Sequence, residues 1–226
     1  MTRKRNRRKM FCMGKVELNK ENKRSSLLSH AYELFLNKGF NDTTISDIAK
    51  KSNVAKGTFY LYFKDKYDLR DQLVARQSAQ IFLDAAKSIE MMPTEKQPKN
   101  VSEYVDALIN YILDFFQNNK MLLRFISKNL SWGIFRHLVE DPSFGHTDGP
   151  DLHVFYNHYL EALKEDHFDC DRPEFLLFAI VEFVGSTAYS AIINEEPCPM
   201  EEYKPYLFRT VHSIIAGYRN TGHAMA

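Results

Sequence analysis

The sequence predicts an all-α protein in two parts: an N-terminal three-helix unit built round a helix-turn-helix, and a larger C-terminal helical domain. Three observations carry this. Glycine and proline are few, 9 and 8 among 226 residues, and no stretch alternates β-branched and polar residues as a half-buried strand would. Apolar residues recur instead at three- and four-residue spacing. The charge is also divided: through Arg70 there are 17 Lys+Arg against 7 Asp+Glu, and after it 13 against 22. The formal net charge of +1 hides a basic front suited to a polyanion and an acidic back that stays off one.

Residues 1–24 carry ten basic and two acidic side chains and little to bury, the composition of a disordered arm. Two readings stand for it: an arm reaching phosphates or a minor groove, and a solvated tail ahead of a start at Met10 or Met13. Met10-Phe11-Cys12-Met13 is too short for a signal-peptide core before Lys15 and Glu17 interrupt it. Cys12, Cys170 and Cys198 are scattered with no C-x-x-C pair, which fits a reducing cytoplasm and predicts neither a disulfide framework nor a zinc site.

Ser25 or Ser26 opens the first helix, with Leu27, Leu28, Ala31, Leu34 and Phe35 on one face and Gly39 as its stop. Residues 40–69 then read FNDTTISDIAKKSNVAKGTFYLYFKDKYDL. Thr43 or Thr44 caps a short helix, with Asp47 three residues after Thr44 as in a capping box. Ile45, Ile48 and Ala49 give it a narrow buried face. Asn53 suits a sharp turn because Asn tolerates the left-handed conformation, and Val54 plugs the space between helices. Residues 55–63 make a second helix of barely two turns, which has little reason to form unless its outer face meets something. Helix-turn-helix units that bind DNA are built this way, the second helix lying in the major groove.

On that second helix, Lys56 and Thr58 project toward base edges or phosphates, and Gly57 lets the backbone approach closely. Tyr60 and Tyr62 carry hydroxyls to phosphate reach, and Leu61 offers an apolar contact such as a thymine methyl meets. Phe59 and Phe63 belong to the core. The ring of Tyr60 has packing as its alternative. Lys66 places a cation beside the amides of the next helix start, a combination that suits a phosphate.

Gly39-Phe40, Thr44, Ile48-Ala49, Val54 through Tyr60, Tyr62-Phe63, Asp65-Lys66 and Leu69 resemble the signature of TetR-type (tetracycline-repressor-like) transcriptional regulators across about residues 25–73. Ser52-Asn53 departs from the Ala-Gly more common there, a change Asn accommodates. Position for position, the resemblance implies Thr44, Ser46, Lys56, Gly57, Thr58, Tyr60, Leu61, Tyr62 and Lys66 as the DNA-facing set. It further implies a homodimer on a palindromic double-stranded operator, repression as the default, and release by a small-molecule effector. A tilt of the helix after Lys66 would then move two recognition helices off the about 34–36 Å that adjacent major grooves require.

Past Lys66 a long helix is expected over 66–91, then a linker to Asn100. Helices follow over 102–118, 120–139 with a bend near Trp132-Gly133, and 151–167, with a loop at 140–150. The helix over 172–194 holds one charge between Phe175 and Ile193, Glu182, and is nearly long enough to span a bilayer. Glu182, Ser186, Thr187, Ser190, the acidic flanks and the lack of a Lys/Arg cluster argue for burial on two sides instead, with no membrane. The last helix is expected over 200–219. By resemblance these two final helices form a four-helix bundle with their symmetry mates. Ala179, Phe183, Gly185, Ser186, Ala188, Tyr189 and Ile193 on the first, with Val211 and Ile214 on the second, are the expected interface.

No glycine-rich phosphate loop, G-x-S-x-G or H-E-x-x-H is present, so an enzyme is not expected. His146, Asp148, Asp151 and His153 lack metal-ligand spacing, and neither a metal nor a cofactor is expected. The 13% aromatic content suits an apolar cavity for a small organic molecule. Resemblance implies that pocket, with Tyr111, Phe115, Trp132, His137, Phe155 and Tyr159 as its expected lining and an apolar or aromatic effector. The domains are then 1–24, 25–72 and 73–226, in a cytoplasmic DNA-binding regulator. The alternative is a ligand-binding or membrane-associated helical module without operator specificity.

Overall fold

The computed structural model describes residues 2–126 and 152–220. These residues form helices and connecting turns, with no strand among them. They divide into two compact units, Met1–Leu73 and Val74–Ala226.

In the first unit, α1 (Thr2–Lys38) starts far ahead of Ser25, so the arm expected to be disordered is helical. Residues 2–24 hold no proline and are rich in Lys and Arg, both good helix formers. A helix already nucleated over 25–38 by burial of Leu27, Leu28, Ala31 and Phe35 extends backward without a second nucleation cost. Residues 18–23 of this extension are exposed. Gly39 ends α1 at φ +88°, its amide donating to the Phe35 carbonyl at 3.1 Å, the left-handed stop a glycine permits.

Helix α2 (Ile45–Lys51) is capped by Thr44 and buries Ile48 and Ala49. Asn53 makes the turn in the left-handed region, φ +54°, as its residue type predicts. Helix α3 (Lys56–Phe59) is a single turn rather than nearly two. The amides of Leu61, Tyr62 and Phe63 still donate to the carbonyls of Thr58, Phe59 and Phe59 at 3.2, 3.0 and 3.0 Å, so the chain keeps a helix-like path to Phe63. Phe59 and Phe63 are fully buried, their ring centroids 5.4 Å apart. Helix α4 (Lys66–Glu90) gives Leu69 and Leu73 to this core and continues into the second unit.

There α4 buries Val74, Ala79, Ile81, Phe82, Ala85, Ala86 and Ile89. A 3-10 turn at Thr94–Lys96 leads to α5 (Val101–Asn118), capped by Asn100, whose side chain accepts from the Glu103 amide. The face of α5 at Val105, Leu108, Ile109, Ile112, Leu113 and Phe116 is buried. Helix α6 (Lys120–Ile126) follows, and the rest of the expected 120–139 helix, its bend and the 140–150 loop lie outside the described residues. Next come α7 (Leu152–Glu165), α8 (Pro173–Tyr189) with proline in its first turn, a π-turn at Ser190–Asn194, and α9 (Met200–Tyr218). Pro173–Asn194 is long and apolar enough to cross a membrane by length and composition. Its apolarity has an internal use: Leu176, Leu177, Ile180, Val181, Val184 and Ala188 make one buried face, as helical spacing dictates.

Candidate nucleic-acid interface

The interface is built outward from α2 and its cap. Thr44 Oγ1 accepts the Asp47 amide at 3.1 Å, while Asp47 accepts the Thr44 amide at 3.0 Å. Lys38 donates to the same carboxylate at 3.1 Å. The hydrogen bond from the Thr44 backbone, followed by that from Lys38, holds the Asp47 carboxyl down at about 2. The Thr44 hydroxyl proton remains available to an outside acceptor, and both Thr44 and Ser46 are exposed.

Helix α3 stands on Phe59 and turns the rest outward. Lys56 and Gly57 are exposed, and a Cβ at Gly57 would meet no atom within 4 Å. Tyr60 is 52% exposed and Leu61 78%, although the Tyr60 ring meets Phe59 edge-on at 5.4 Å. Thr58 and Tyr62 are half-buried. An apolar side chain as open as Leu61, beside a glycine, a lysine and a tyrosine, forms a compact patch with both apolar and hydrogen-bonding reach.

Lys66 stands apart from that patch. Its ammonium donates to the carbonyls of Phe40 at 2.7 Å, Thr43 at 2.8 Å and Asn41 at 3.3 Å, and lies 4.4 Å from the centre of the Phe40 ring. An ammonium has three donors, and three carbonyls of one loop lie within their reach. The reason is local: the loop after α1 turns its carbonyls toward the start of α4. Sequence spacing of 23–26 residues gave no signal of that contact. The same region presents Tyr67, 57% exposed, against Phe40 at 5.2 Å, with the Arg70 guanidinium 5.3 Å over its ring. This exposed aromatic was absent from the expected set.

A family model described as bacterial regulatory proteins, tetR family, matches residues 27–73. Residues 27–73 belong to the TetR family. Among curated proteins, the chain is 26% identical over 167 residues to an uncharacterized HTH-type transcriptional regulator, YxbF of Bacillus subtilis (strain 168), covering 66% of this chain and 41% of that protein. It is 31% identical over 93 residues to IcaR of Staphylococcus aureus (strain Newman), an HTH-type negative transcriptional regulator of the biofilm operon icaADBC, covering 41% of this chain and 45% of IcaR. The chain thus spans less than half the length of the curated relatives it matches. Among solved structures it is similar to Thermus thermophilus FadR, a TetR family repressor in complex with lauroyl-CoA, with TM-score 0.55, 19% identity and coverage of 90% and 98%. A TetR family transcription regulator from Marinobacter aquaeolei VT8 gives TM-score 0.50, 16% identity and coverage of 88% and 97%. At these identities the structural likeness shows the TetR fold.

The second unit holds an apolar cavity of about 50 Å³. Phe82, Leu108, Ile112, Phe116, Phe155, Tyr159, Val181, Val184 and Ala188 are among its walls. Phe155 and Tyr159, both in the expected lining, are on these walls. Tyr111 and Phe115 do not line it; the helical turn of α5 gives that place to Phe116. Trp132 and His137 lie outside the described residues. The Tyr159 hydroxyl donates to the Pro173 carbonyl at 3.2 Å, and burial pushes its pKa up, so the wall presents carbon rather than charge.

A second, polar cleft of about 370 Å³ is lined by Glu90, Tyr104, His158, Glu161, Glu165 and Asp166 among others. Burial, then Glu90 and Glu161, push the Tyr104 phenol up to about 12. Among the described residues no group of three or more His, Cys, Asp or Glu is placed to hold a metal ion.

The expected dimer patch is split by the structure. Ala188 (1% exposed) and Val211 (0%) are packed inside their own subunit. A helix turns 100° per residue, so the face at 177, 180/181, 184 and 188 looks inward while 179, 182/183 and 186 look away. Ala179, Phe183, Gly185, Tyr189, Ile193 and Ile214 are half-buried, and Ser186 is exposed.

Proposed function

We propose that the chain is a cytoplasmic, homodimeric, sequence-specific DNA-binding regulator that represses and is released by an apolar small molecule. The observation that carries it is the outer surface of α3 and the turn after it: Lys56 and Gly57 on a one-turn helix anchored by the buried Phe59, and Tyr60 and Leu61 just beyond it, are exposed. A helix this short is marginal unaided, and its open face has the composition of a major-groove reader. Two such heads on a two-fold axis read a palindrome. IcaR's description as a negative regulator supports repression as the default direction.

The all-carbon walls of the smaller cavity favour an apolar or aromatic effector, and the lauroyl-CoA of Thermus thermophilus FadR makes a fatty acyl chain the first compound class to test. Ligand pockets run to roughly 300–1,000 Å³, so an effector must part the walls at Phe82, Phe155 and Val184 as it enters. Selecting bound duplexes from a random DNA pool tests the core of the proposal: a palindromic consensus is expected, and recovery of no consensus would overturn it. Titrating lauroyl-CoA, and then aromatic compounds, into the protein–operator complex tests release. A protein that pellets with membranes and resists high-salt extraction would favour the membrane-associated alternative.

A further inference from the structure

We propose that the polar cleft of the second unit is a binding site for an organic cation, of the class of short aliphatic diamines. The proposal stands without the DNA-reading role. The cleft, about 370 Å³, shares no wall residue with the apolar cavity, and its size lies within the range of small-molecule sites. Its walls carry the carboxylates of Glu90, Glu161, Glu165 and Asp166 against one ammonium, that of Lys99. Two of these carboxylates are already engaged. Asp166 accepts from the Arg219 guanidinium at 3.0 Å, and Glu90 lies 3.3 Å from His158 Nδ1. Glu161 and Glu165 form no ion pair among the described residues. They stand one turn apart on α7, where like charges four positions apart destabilise a helix, and a cation seated between them relieves that repulsion.

Tyr104 supplies an independent pointer to a ligand. Its hydroxyl is buried and finds no hydrogen-bond partner among the described residues, although buried polar groups are nearly always paired. Burial, then the charges of Glu90 and Glu161, push the phenol up to about 12, so it keeps its proton and feels both carboxylates. An ammonium that donates to the Tyr104 oxygen therefore has two counter-charges at hand. Glu90, Gln97, Lys99 and Glu161 are long, jointed side chains on the walls, which a guest can part to reach the hydroxyl.

The layout favours a molecule over a bare ion. Among the described residues no group of three or more His, Cys, Asp or Glu is placed to hold a metal. Carboxylates spread along a cleft suit charges spread along a chain. Glu161 and Glu165 are about 6 Å apart along the helix axis, a length that a run of four methylenes bridges. Ala86, Ile89 and Ala162 give such a run carbon to lie against.

The test titrates 1,4-diaminobutane into the full chain by isothermal titration calorimetry at fixed ionic strength, with 1,4-butanediol and magnesium chloride as neutral and inorganic comparisons. Saturable binding of one diamine per subunit is expected, and none of the diol or of magnesium. Tyr104→Phe is expected to weaken the diamine by roughly three- to tenfold, the scale of one hydrogen bond. The unliganded variant is expected to melt at or above the wild-type temperature, because the hydroxyl it loses was unpaired. The double variant Glu161→Gln, Glu165→Gln is expected to weaken binding by roughly tenfold, the scale of two exposed ion pairs, and Glu202→Gln on α9 to leave it unchanged. Absence of saturable diamine binding overturns the proposal, as does binding that either cleft variant leaves at wild-type strength. Equal weakening by Glu202→Gln overturns it too, since a diffuse acidic surface would then be collecting the amine. Magnesium that competes with the diamine makes the cleft a metal site and overturns it as well. Should Tyr104→Phe not fold, the double variant decides between the same two outcomes.

Discussion

Thr44 and Asp47 cap each other across the first turn of α2, each side chain accepting the other's backbone amide, at 3.1 and 3.0 Å. With Lys38 on the same carboxylate at 3.1 Å, the arrangement ties the end of α1 to the start of the helix-turn-helix.

That carboxyl sits at about 2, below its ordinary 3.8, so its contribution is complete above about pH 4 and is lost as pH falls toward 2. Asp47→Asn abolishes the titration. The gap in melting temperature between wild type and Asp47→Asn, read by circular dichroism, is expected to be widest near pH 6 and to narrow between pH 4 and 2. A gap independent of pH would mean the carboxylate contributes nothing through its charge.

Gly57 has open space where a side chain would begin, and alanine is the better helix former by about 1 kcal/mol. Gly57→Ala is therefore expected to melt at or above the wild-type temperature and yet bind its selected duplex more weakly, because the added methyl meets the DNA. Scanning fluorimetry and anisotropy together measure this. Undiminished binding would turn Gly57 away from the DNA.

Binding through phosphates predicts steep salt dependence. Raising salt from about 50 to 200 mM is expected to weaken the complex by roughly 10³-fold or more if each half-site engages several phosphates. Lys56→Ala is expected to lower affinity and to relax base preference; if it altered neither, the reading face would lie elsewhere.

Two substitutions on one helix separate assembly from folding. Ala179→Glu adds a carboxylate to the half-exposed face of α8 and is expected to give folded monomers in analytical ultracentrifugation, with loss of DNA binding. Ala188→Glu puts the charge in the subunit's own interior, where an unpaired buried charge costs several kcal/mol, about 3–5 in broken ion pairs, so loss of folding is expected. A folded dimer from Ala179→Glu would move the interface off this face.

Local signals were legible in the sequence because each is settled by a few neighbouring residues. The Thr44–Asp47 box, the left-handed turns at Gly39 and Asn53, and the burial of Phe59 and Phe63 all follow from residue type and spacing. What escaped depended on distance or on competition. The charge-rich start of α1 carries no hydrophobic pattern, so its helicity came from extension of a helix nucleated further on. Lys66 was read for its charge, and its contacts with carbonyls more than twenty positions earlier had no local signal. On α8 apolar residues fall on every side, with Glu182 and Ser186 among the few polar marks, so the sequence did not decide whether Ala188 looked inward or out. The choice between Phe115 and Phe116 as cavity wall was likewise a rotation of one residue.

The single turn of α3 has a consequence for how such a protein diversifies. Lys56, Gly57 and Leu61 lie open to solvent, and exposed positions free of packing usually change stability by no more than about 0.5 kcal/mol when substituted. Phe59 alone bears the anchoring, within the same turn. Selection can therefore rewrite the outer letters while the anchor stays constant, and each intermediate along the way still folds. A lineage carrying this head can drift from one operator to another by single codon changes, with no barren step between them.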